Sequence, residues 1–317
     1  FPDTKNVCGL SMRSLVWGGV AAIYFAAASS SFAGCPDIRP FADGISGTAE
    51  KYAASGKFSL DDGILFHDYG KSYHNLGKWP NPLFNSRYAN ALYSDWYKGD
   101  CTDDEIRTKF LNVATWFVSN HVDRDGMAVW IYPFENTYYD VPAGWISGIG
   151  QSHIAAVLYR AYALTDDEKF HDLSERAMQV YFRPMSEGGV VTEDETGFWI
   201  QEIPNPLGIA HSVLNGHITG IYGIMDMQML TGDERYGKIV EKAIDAVRSQ
   251  IRNFDAGTTS YYELRETPGK KRKLAPLGGY NRLHIRQLMR LYQIDGDPVF
   301  KEMAARFQSY EDAKSNP

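Results

Sequence analysis

The sequence predicts a mainly α fold, an incomplete (α/α) toroid of repeated helix hairpins with minor short β segments. Apolar residues recur at three- and four-residue spacing along most of the chain, as in "IAAVLYRAYAL" and "VLNGHITGIYGIMDMQML". One turn motif is repeated at a nearly constant interval. Strand signal is confined to short pieces such as "MAVWIYPF" and "GGVVT". Repeated antiparallel helix hairpins in one chain of this length favour a toroid.

The repeated turn motif lies between consecutive apolar helical runs. Its copies are "ALTDDEKF" at 163–170, "MLTGDERY" at 229–236 and "QIDGDPVF" at 293–300. The aromatic residue that closes each copy recurs after 66 and then 64 residues. An aspartate in each copy is positioned to cap the second helix, and the aromatic residue to pack the turn. A weaker fourth copy is "WYKGDCTDDEI" at 96–106.

The periodic runs predict the helices in order, at 84–97, 104–120, 150–164, 167–182, 212–230, 234–252, 283–293 and 298–310. The connectors "DVPAGWISGIGQS" (140–152) and "GFWIQEIPNP" (197–206) are rich in glycine and proline. Each lies where a helix starts or a hairpin closes. Connectors on one rim of a toroid are expected to carry its chemistry.

The N-terminal region is similar to an export signal. Met12 and Arg13 precede an apolar run from Leu15 to about Ala28, which small residues follow. An uncleaved anchor or an apolar helix of the domain are the alternatives. We therefore expect a signal-like or anchor segment at 1–35 and a single (α/α)-toroid catalytic domain at 36–317. The expected location is outside the cytoplasm: periplasmic, secreted or membrane-anchored.

The three cysteines, Cys8, Cys35 and Cys101, do not have the spacing of a zinc site. Two fates stay open for Cys35. It can pair with Cys101 in an oxidising compartment, or carry a lipid, because "FAGC" loosely resembles a lipoprotein box.

The charge is unevenly distributed along the chain. The formal net charge of -7 argues against nonspecific binding of a polyanion such as a nucleic acid. Yet five of the nine residues from Arg265 to Lys273 are basic, and they lie between Tyr262 and Tyr280. A phenol, with a pKa of about 10, is a poor base unless cations lower that pKa. The alternative is a solvated turn between two packing tyrosines.

Glu202 lies in "FWIQEIPNP", among apolar and aromatic residues. Apolar surroundings raise the pKa of a carboxyl group, which suits a general acid or base. The alternative is an exposed loop glutamate. The eight histidines show no HxH or HExxH spacing, and "GWISGIGQS" is not a dinucleotide fingerprint. We therefore expect neither a metal nor an organic cofactor.

Together and in order, these connectors resemble the C-terminal helical domain of the D-glucuronyl C5-epimerases, the family that modifies heparan sulfate and heparosan. The resemblance covers roughly residues 80 to 310 and is that of a short bacterial member. The matching segments are "PAGWISGIGQSHIAAVLYRAY", "EIPNPLGIAHSVLNGHITGIYGIMDMQMLTGDERY", "YYELR" and "APLGGYNRLHIRQLMRLYQIDGDPVFKEMAARFQSY".

The resemblance implies an isomerase that converts D-glucuronate into L-iduronate within a polysaccharide, by two-base proton abstraction and reprotonation at C5. It implies that Glu202 and Tyr280 transfer the protons and that Tyr262 assists. It also implies that Arg265 binds the uronate carboxylate. Further candidate substrate contacts are Ser147, Gln151, Asn215, Arg282 and His284.

Two positions depart from the family's pattern. Ile203 follows Glu202 where animal members have a tyrosine, and Asn281 stands beside Tyr280 where a histidine is usual. The expected partner is a glucuronate-containing acidic polysaccharide and no nucleic acid, and a homodimer is left open. The alternative functions are a polysaccharide lyase, which starts with the same C5 abstraction but proceeds by β-elimination, and a non-catalytic module that binds acidic polysaccharide.

Overall fold

The computed structural model describes residues 35–41, 48–54, 56, 58–70 and 76–315. The predicted signal-like segment lies outside the described residues, except for Cys35. The described part contains the helices α1 (Ala49–Ala53), α2 (Pro82–Lys98), α3 (Asp104–Ser119), α4 (Gly150–Thr165), α5 (Glu168–Met178), α6 (Leu214–Thr231), α7 (Glu234–Gln250), α8 (Tyr280–Asp295) and α9 (Pro298–Ser315). Each predicted helix is present, with its ends shifted by a few residues.

The described strands are short: β1 (Phe58–Asp61), β2 (Ile64–Asp68), β3 (Lys78–Pro80), β4 (Val122–Arg124), β5 (Met127–Val129), β6 (Ile131–Tyr132), β7 (Trp145–Ile146), β8 (Val191–Asp194) and β9 (Gly197–Ile200). The first three form one antiparallel sheet in sequence order. The other six form three separate two-stranded pairs, β4–β5, β6–β7 and β8–β9. These strands line connectors between helices and do not form a central sheet.

The helices α2–α3, α4–α5, α6–α7 and α8–α9 pack as successive hairpins, and α2, α4, α6 and α8 pack side by side in order. The residues of α4 from Gly150 to Leu158 are all buried, whereas α5 and α7 bury one face each. The first helix of each hairpin therefore forms an inner layer and the second an outer layer. This is the predicted incomplete (α/α) toroid, and the predicted fold class is confirmed.

The repeated turn motif works as predicted. At the start of each outer helix, an aspartate side chain accepts hydrogen bonds from backbone N–H groups of the first turn. These aspartates are Asp103, Asp167, Asp233 and Asp297. The closing aromatic residues Phe170, Tyr236 and Phe300 are buried. Gly232 and Gly296 end the inner helices of their hairpins with φ of 70° and 85°, a conformation that favours glycine.

A buried ion pair joins the inner helices. Arg160 of α4 donates to both carboxylate oxygens of Asp226 of α6, at 2.8 and 2.7 Å, and to Oδ1 of Asn90 of α2 at 3.0 Å. Both charged side chains are almost fully buried. The bidentate geometry and the extra acceptor offset the desolvation of the two charges. This network fixes three inner helices relative to one another.

Cys35 and Cys101 form a disulfide, with their Cα atoms 5.3 Å apart. The bond settles the alternative left open by the sequence, because a disulfide-bonded Cys35 has no thiol for a lipid. It closes a loop of 66 residues and attaches the chain before α1 to the turn between α2 and α3. Among the helices of the described residues, none combines the length and apolarity needed to cross a membrane.

Two hairpins that we did not predict carry an Asp-Gly turn. Asp62 and Gly63 join β1 to β2 with φ of 46° and 78°, and Asp125 and Gly126 join β4 to β5 with φ of 49° and 82°. Positive φ at both central residues suits a two-residue turn that follows the twist of its strands. The Asp-Gly pairs were therefore the signal, but the strands are too short to show clear alternation.

Candidate active site

The β8–β9 hairpin delivers Glu202 to the rim of the inner layer. Val191 pairs with Ile200, and the chain leaves the hairpin at Gln201. The Gln201 side-chain oxygen accepts the N–H groups of His211 and Ser212 at 3.1 and 3.0 Å, which fixes both ends of the loop. The Gly148 N–H, just before α4, donates to the Glu202 carbonyl at 3.0 Å. Hydrogen bonds at Gln201 and at the Glu202 carbonyl therefore fix the backbone that carries the Glu202 side chain.

The first turn of α6 lies directly against the Glu202 side chain. A Cβ atom added at Gly216 would lie 2.6 Å from Oε2 of Glu202 and 2.8 Å from its Cβ. Only glycine leaves room for the carboxylate in this position. The Leu214 N–H, at the start of the same helix, donates to the Tyr262 carbonyl at 3.1 Å. The start of α6 thus brings Glu202 and Tyr262 together.

The two phenols form a continuous cluster with the carboxylate. The Tyr262 hydroxyl donates to Oε2 of Glu202 at 3.4 Å. The rings of Tyr262 and Tyr280 meet edge to face, with centroids 4.8 Å apart. Tyr262 is 6% exposed and Tyr280 is 41% exposed, so the cluster runs from the buried interior to the surface. The structure therefore brings together the three residues predicted to be catalytic.

Burial raises the pKa of the Glu202 carboxyl, and three groups oppose that rise: the charges of Arg87 and Lys273 and the hydrogen bond from Tyr262. Once ionised, a carboxylate with a raised pKa is a stronger base than an exposed one. The alternative of an exposed loop glutamate is wrong, because Glu202 is half-buried behind the phenols.

Burial also raises the pKa of Tyr262 and of Tyr280, and the charge of Glu202 raises both further. The cations of the basic loop therefore do not bring the pKa of these phenols below its usual value. Desolvation and the neighbouring carboxylate outweigh the cations. At neutral pH both hydroxyls are protonated, and they can serve as proton donors.

Most of the basic loop is occupied by contacts within the chain. Lys270 donates to the Tyr138 carbonyl, and the Arg272 guanidinium lies 3.7 Å from the centroid of the Tyr261 ring. Lys273 differs, because its ammonium lies 4.5 Å from the centroid of the Tyr262 ring. Lys273 therefore brings a positive charge to the cluster, whereas Lys270 and Arg272 stabilise the loop.

Three of the predicted substrate contacts belong to the two segments that contact Glu202, around Gly148 and Gly216. Ser147 precedes Gly148, and its hydroxyl accepts the Gly150 N–H at 3.2 Å. Gln151 is 1% exposed, and neither atom of its side-chain amide has a partner among the described residues. The side-chain oxygen of Asn215, next to Gly216, also has no hydrogen-bond partner among the described residues. Buried polar atoms without partners are frequent where a ligand binds.

The other three predicted contacts have partners away from the carboxylate. The Arg265 guanidinium donates to Asp194 at 2.6 Å. Arg282 donates to Glu311 at 3.1 Å. His284 is fully buried, with Nδ1 2.8 Å from the Ser260 hydroxyl. Their substrate-binding roles stay predictions.

The two departures from the family's pattern have structural roles. Asn281 is fully buried, accepts from the Ser260 N–H at 3.0 Å and donates to the Phe307 carbonyl at 3.1 Å. It thereby joins the loop before α8 to α9. Ile203 packs against the apolar cluster that contains Tyr139 and Tyr262.

Sequence patterns missed two features of the site. Arg87 belongs to α2, far from Glu202 in sequence, and lies in an ordinary amphipathic run. Glu263 is fully buried beside Tyr262 and accepts a hydrogen bond from the Tyr139 hydroxyl at 3.1 Å. An acidic residue between two tyrosines and an arginine was the available signal for Glu263.

A cavity of about 170 Å³, lined by Trp145, Pro204 and Pro206, lies beside the Glu202 loop.

The chain is similar in sequence to proteins of one known family. Residues 124–309, more than half of the chain, match the family model of the D-glucuronyl C5-epimerase C-terminus. A D-glucuronyl C5-epimerase of Caenorhabditis elegans is 28% identical over 218 residues, which are 63% of this chain and 34% of that protein. This chain thus spans about a third of the length of that relative.

Solved structures share the fold at low identity. A sugar epimerase from a ruminal bacterium superposes with a TM-score of 0.55 at 12% identity, over 82% of this chain and 66% of that one. An α-1,6-mannanase of Salegentibacter sp. gives a TM-score of 0.50 at 13% identity, over 83% of this chain and 67% of that one. At these identities the likeness concerns the fold alone.

Proposed function

This chain belongs to the family of the D-glucuronyl C5-epimerase C-terminus, and we propose that it inverts C5 of D-glucuronate residues within a polysaccharide, giving L-iduronate. The polymer that we propose is of the heparosan or heparan type. The observation that carries the proposal is the cluster of Glu202, Tyr262 and Tyr280, which joins a half-buried carboxylate to a partly exposed phenol.

In the proposed reaction, the Glu202 carboxylate removes the C5 proton of glucuronate. The electron pair left at C5 delocalises into the uronate carboxylate, so positive groups near that carboxylate lower the barrier. The Tyr280 hydroxyl then donates a proton to the opposite face of C5, and the configuration inverts. Tyr262, which donates to Glu202 and contacts Tyr280, orients both groups. In the reverse reaction the two residues exchange roles.

A polymer needs room on both sides of the reacting sugar. The cavity lined by Trp145, Pro204 and Pro206 lies beside the loop that carries Glu202. Its walls offer aromatic and apolar surface of the kind that packs against sugar rings. We assign a sugar adjacent to the reacting glucuronate to this cavity.

The test is incubation of the purified protein with unsulfated and N-sulfated glucuronate polymers, followed by NMR of the products. We expect iduronate signals in at least one polymer and no chain cleavage. Ultraviolet absorbance from an unsaturated uronate would assign the protein to the lyases instead. Binding of the polymer without any product would leave only the binding module.

The raised pKa values predict an unusual pH profile. Glu202 must be ionised to act as base, so kcat/KM for glucuronate should rise with pH through its pKa, above the usual range of glutamate. Tyr280 must be protonated to act as acid, so activity should fall only above the usual range of tyrosine. Rates measured across pH, with circular dichroism as a check of folding, test this. An acid limb in the ordinary glutamate range would contradict it.

We also propose that the protein works outside the cytoplasm, as its signal-like N-terminal sequence suggests. The disulfide between Cys35 and Cys101 supports this location, because such bonds persist mainly in oxidising compartments.

A further inference from the structure

Arg87 lies on the face of α2 that packs against the first turns of α4. Leu83, one turn earlier on this face, has its Cβ 3.7 Å from where a Cβ of Gly150 would lie. Asn90, nearly one turn later, donates to the His153 carbonyl at 3.3 Å. Residues at this spacing share a helix face, and helical side chains lean toward the N-terminus of their helix. The Arg87 side chain therefore leans toward the rim where Glu202 lies.

Among the described residues, no carboxylate forms an ion pair with the Arg87 guanidinium. It is half-buried, yet no hydrogen bond or ion pair joins it to any described residue. Its charge opposes the rise in pKa that burial causes at Glu202 and at Tyr280. It therefore lies near both proton-transfer groups. A half-buried cation without a bound anion suits a site that receives its anion from a ligand.

Arg265, the residue first expected to bind the uronate carboxylate, is already paired. Its guanidinium donates to Asp194 at 2.6 Å and to the Thr196 hydroxyl at 3.3 Å, and it lies 3.8 Å from a carboxylate oxygen of Glu195. A substrate carboxylate would have to displace Asp194 and approach a second negative charge. Arg87, in contrast, is not joined by a hydrogen bond or an ion pair to any carboxylate of the described residues.

We infer that Arg87 binds the carboxylate of the sugar that undergoes inversion. This inference rests on the proposed function. The amide of Gln151, buried and unpartnered in the turn that follows Gly150, is the second donor that we assign to this carboxylate. A guanidinium in this position also stabilises the charge that develops when C5 loses its proton, so Arg87 acts on kcat as well as on KM.

The experiment compares binding of a glucuronate oligosaccharide with that of its carboxyl-reduced counterpart, by calorimetry. We expect the wild type to prefer the carboxylate and Arg87→Gln to lose about 10- to 100-fold of that preference. Arg87→Lys should keep part of it, because an ammonium retains the charge but not the planar fork. Arg252→Gln is the control, since Arg252 is exposed and paired with Glu302 at 2.7 Å.

Unchanged carboxylate preference in Arg87→Gln would overturn the inference, and the more so if Arg265→Gln lost it. In Arg87→Gln, the acid limb of the pH profile of kcat/KM could shift while the preference for the carboxylate ligand stays intact. That result would also overturn the inference, because Arg87 would then only balance the charge of Glu202. Should Arg87→Gln not fold, Arg87→Lys decides by the same comparison. Binding requires no turnover, so a wild type that prefers the carboxylate through Arg87 but inverts nothing would overturn the proposed function instead.

Discussion

Replacing either proton-transfer residue should abolish net inversion. Glu202→Gln removes the base and keeps the size of the side chain, and Tyr280→Phe removes one hydroxyl. Each should lower the rate of iduronate formation by roughly 10²- to 10⁴-fold, the usual contribution of a positioned acid or base. Tyr262→Phe should cost less, because Tyr262 orients the other two. Iduronate formed per unit time, measured by NMR, gives these losses.

The losses should leave stability nearly unchanged. Tyr280 is 41% exposed, so its hydroxyl contributes little to folding. Tyr292→Phe, on the same helix, is a matched control that should keep full activity. Normal inversion by the Tyr280→Phe protein would remove Tyr280 from the reaction.

Gly216→Ala should lower activity by displacing the Glu202 side chain. The added methyl group would lie 2.6 Å from Oε2 of Glu202, so the carboxylate must move. Misplacement of a catalytic group by about 1 Å can cost on the order of 10²-fold in rate. Alanine favours helix more than glycine by about 1 kcal/mol, so α6 should persist. We therefore expect kcat for inversion to fall about 10²-fold while the melting temperature changes little.

Gly220→Ala is the control on the same helix. Its added methyl group would meet the Ile200 side chain at 3.0 Å and would not contact Glu202. It tests whether crowding at this face of α6 alone lowers activity. Wild-type kinetics in Gly216→Ala would mean that Glu202 can move freely and is not held for catalysis.

The fold was predictable because its signal is local. Apolar periodicity predicted the helices, and the recurring aspartate and aromatic residues predicted the turns between them. Strand signal was visible in "MAVWIYPF", which contains β5 and β6, and in "GGVVT", where β8 begins. The other short strands were missed, since pairs of two to four residues carry too little alternation. Their Asp-Gly turns, as at Asp62 and Gly63, were visible but were not used.

The site was only partly predictable because its members come from distant parts of the chain. Local composition suggested Glu202, and the resemblance to a family added Tyr262 and Tyr280. No local pattern could pair Arg265 with Asp194, 71 residues away, or show that the charge of Arg87, on α2, acts on Glu202. Burial, which raises the pKa of both phenols, is likewise a property of the folded chain.

The central claim is that this protein removes and returns the proton at C5 of glucuronate. Incubation of the wild type with a glucuronate polymer in deuterated water, followed by NMR, tests it most directly. We predict deuterium at C5 of both the glucuronate and the iduronate residues of an intact polymer. Bound polymer without deuterium at C5, or an unsaturated product, would contradict the claim.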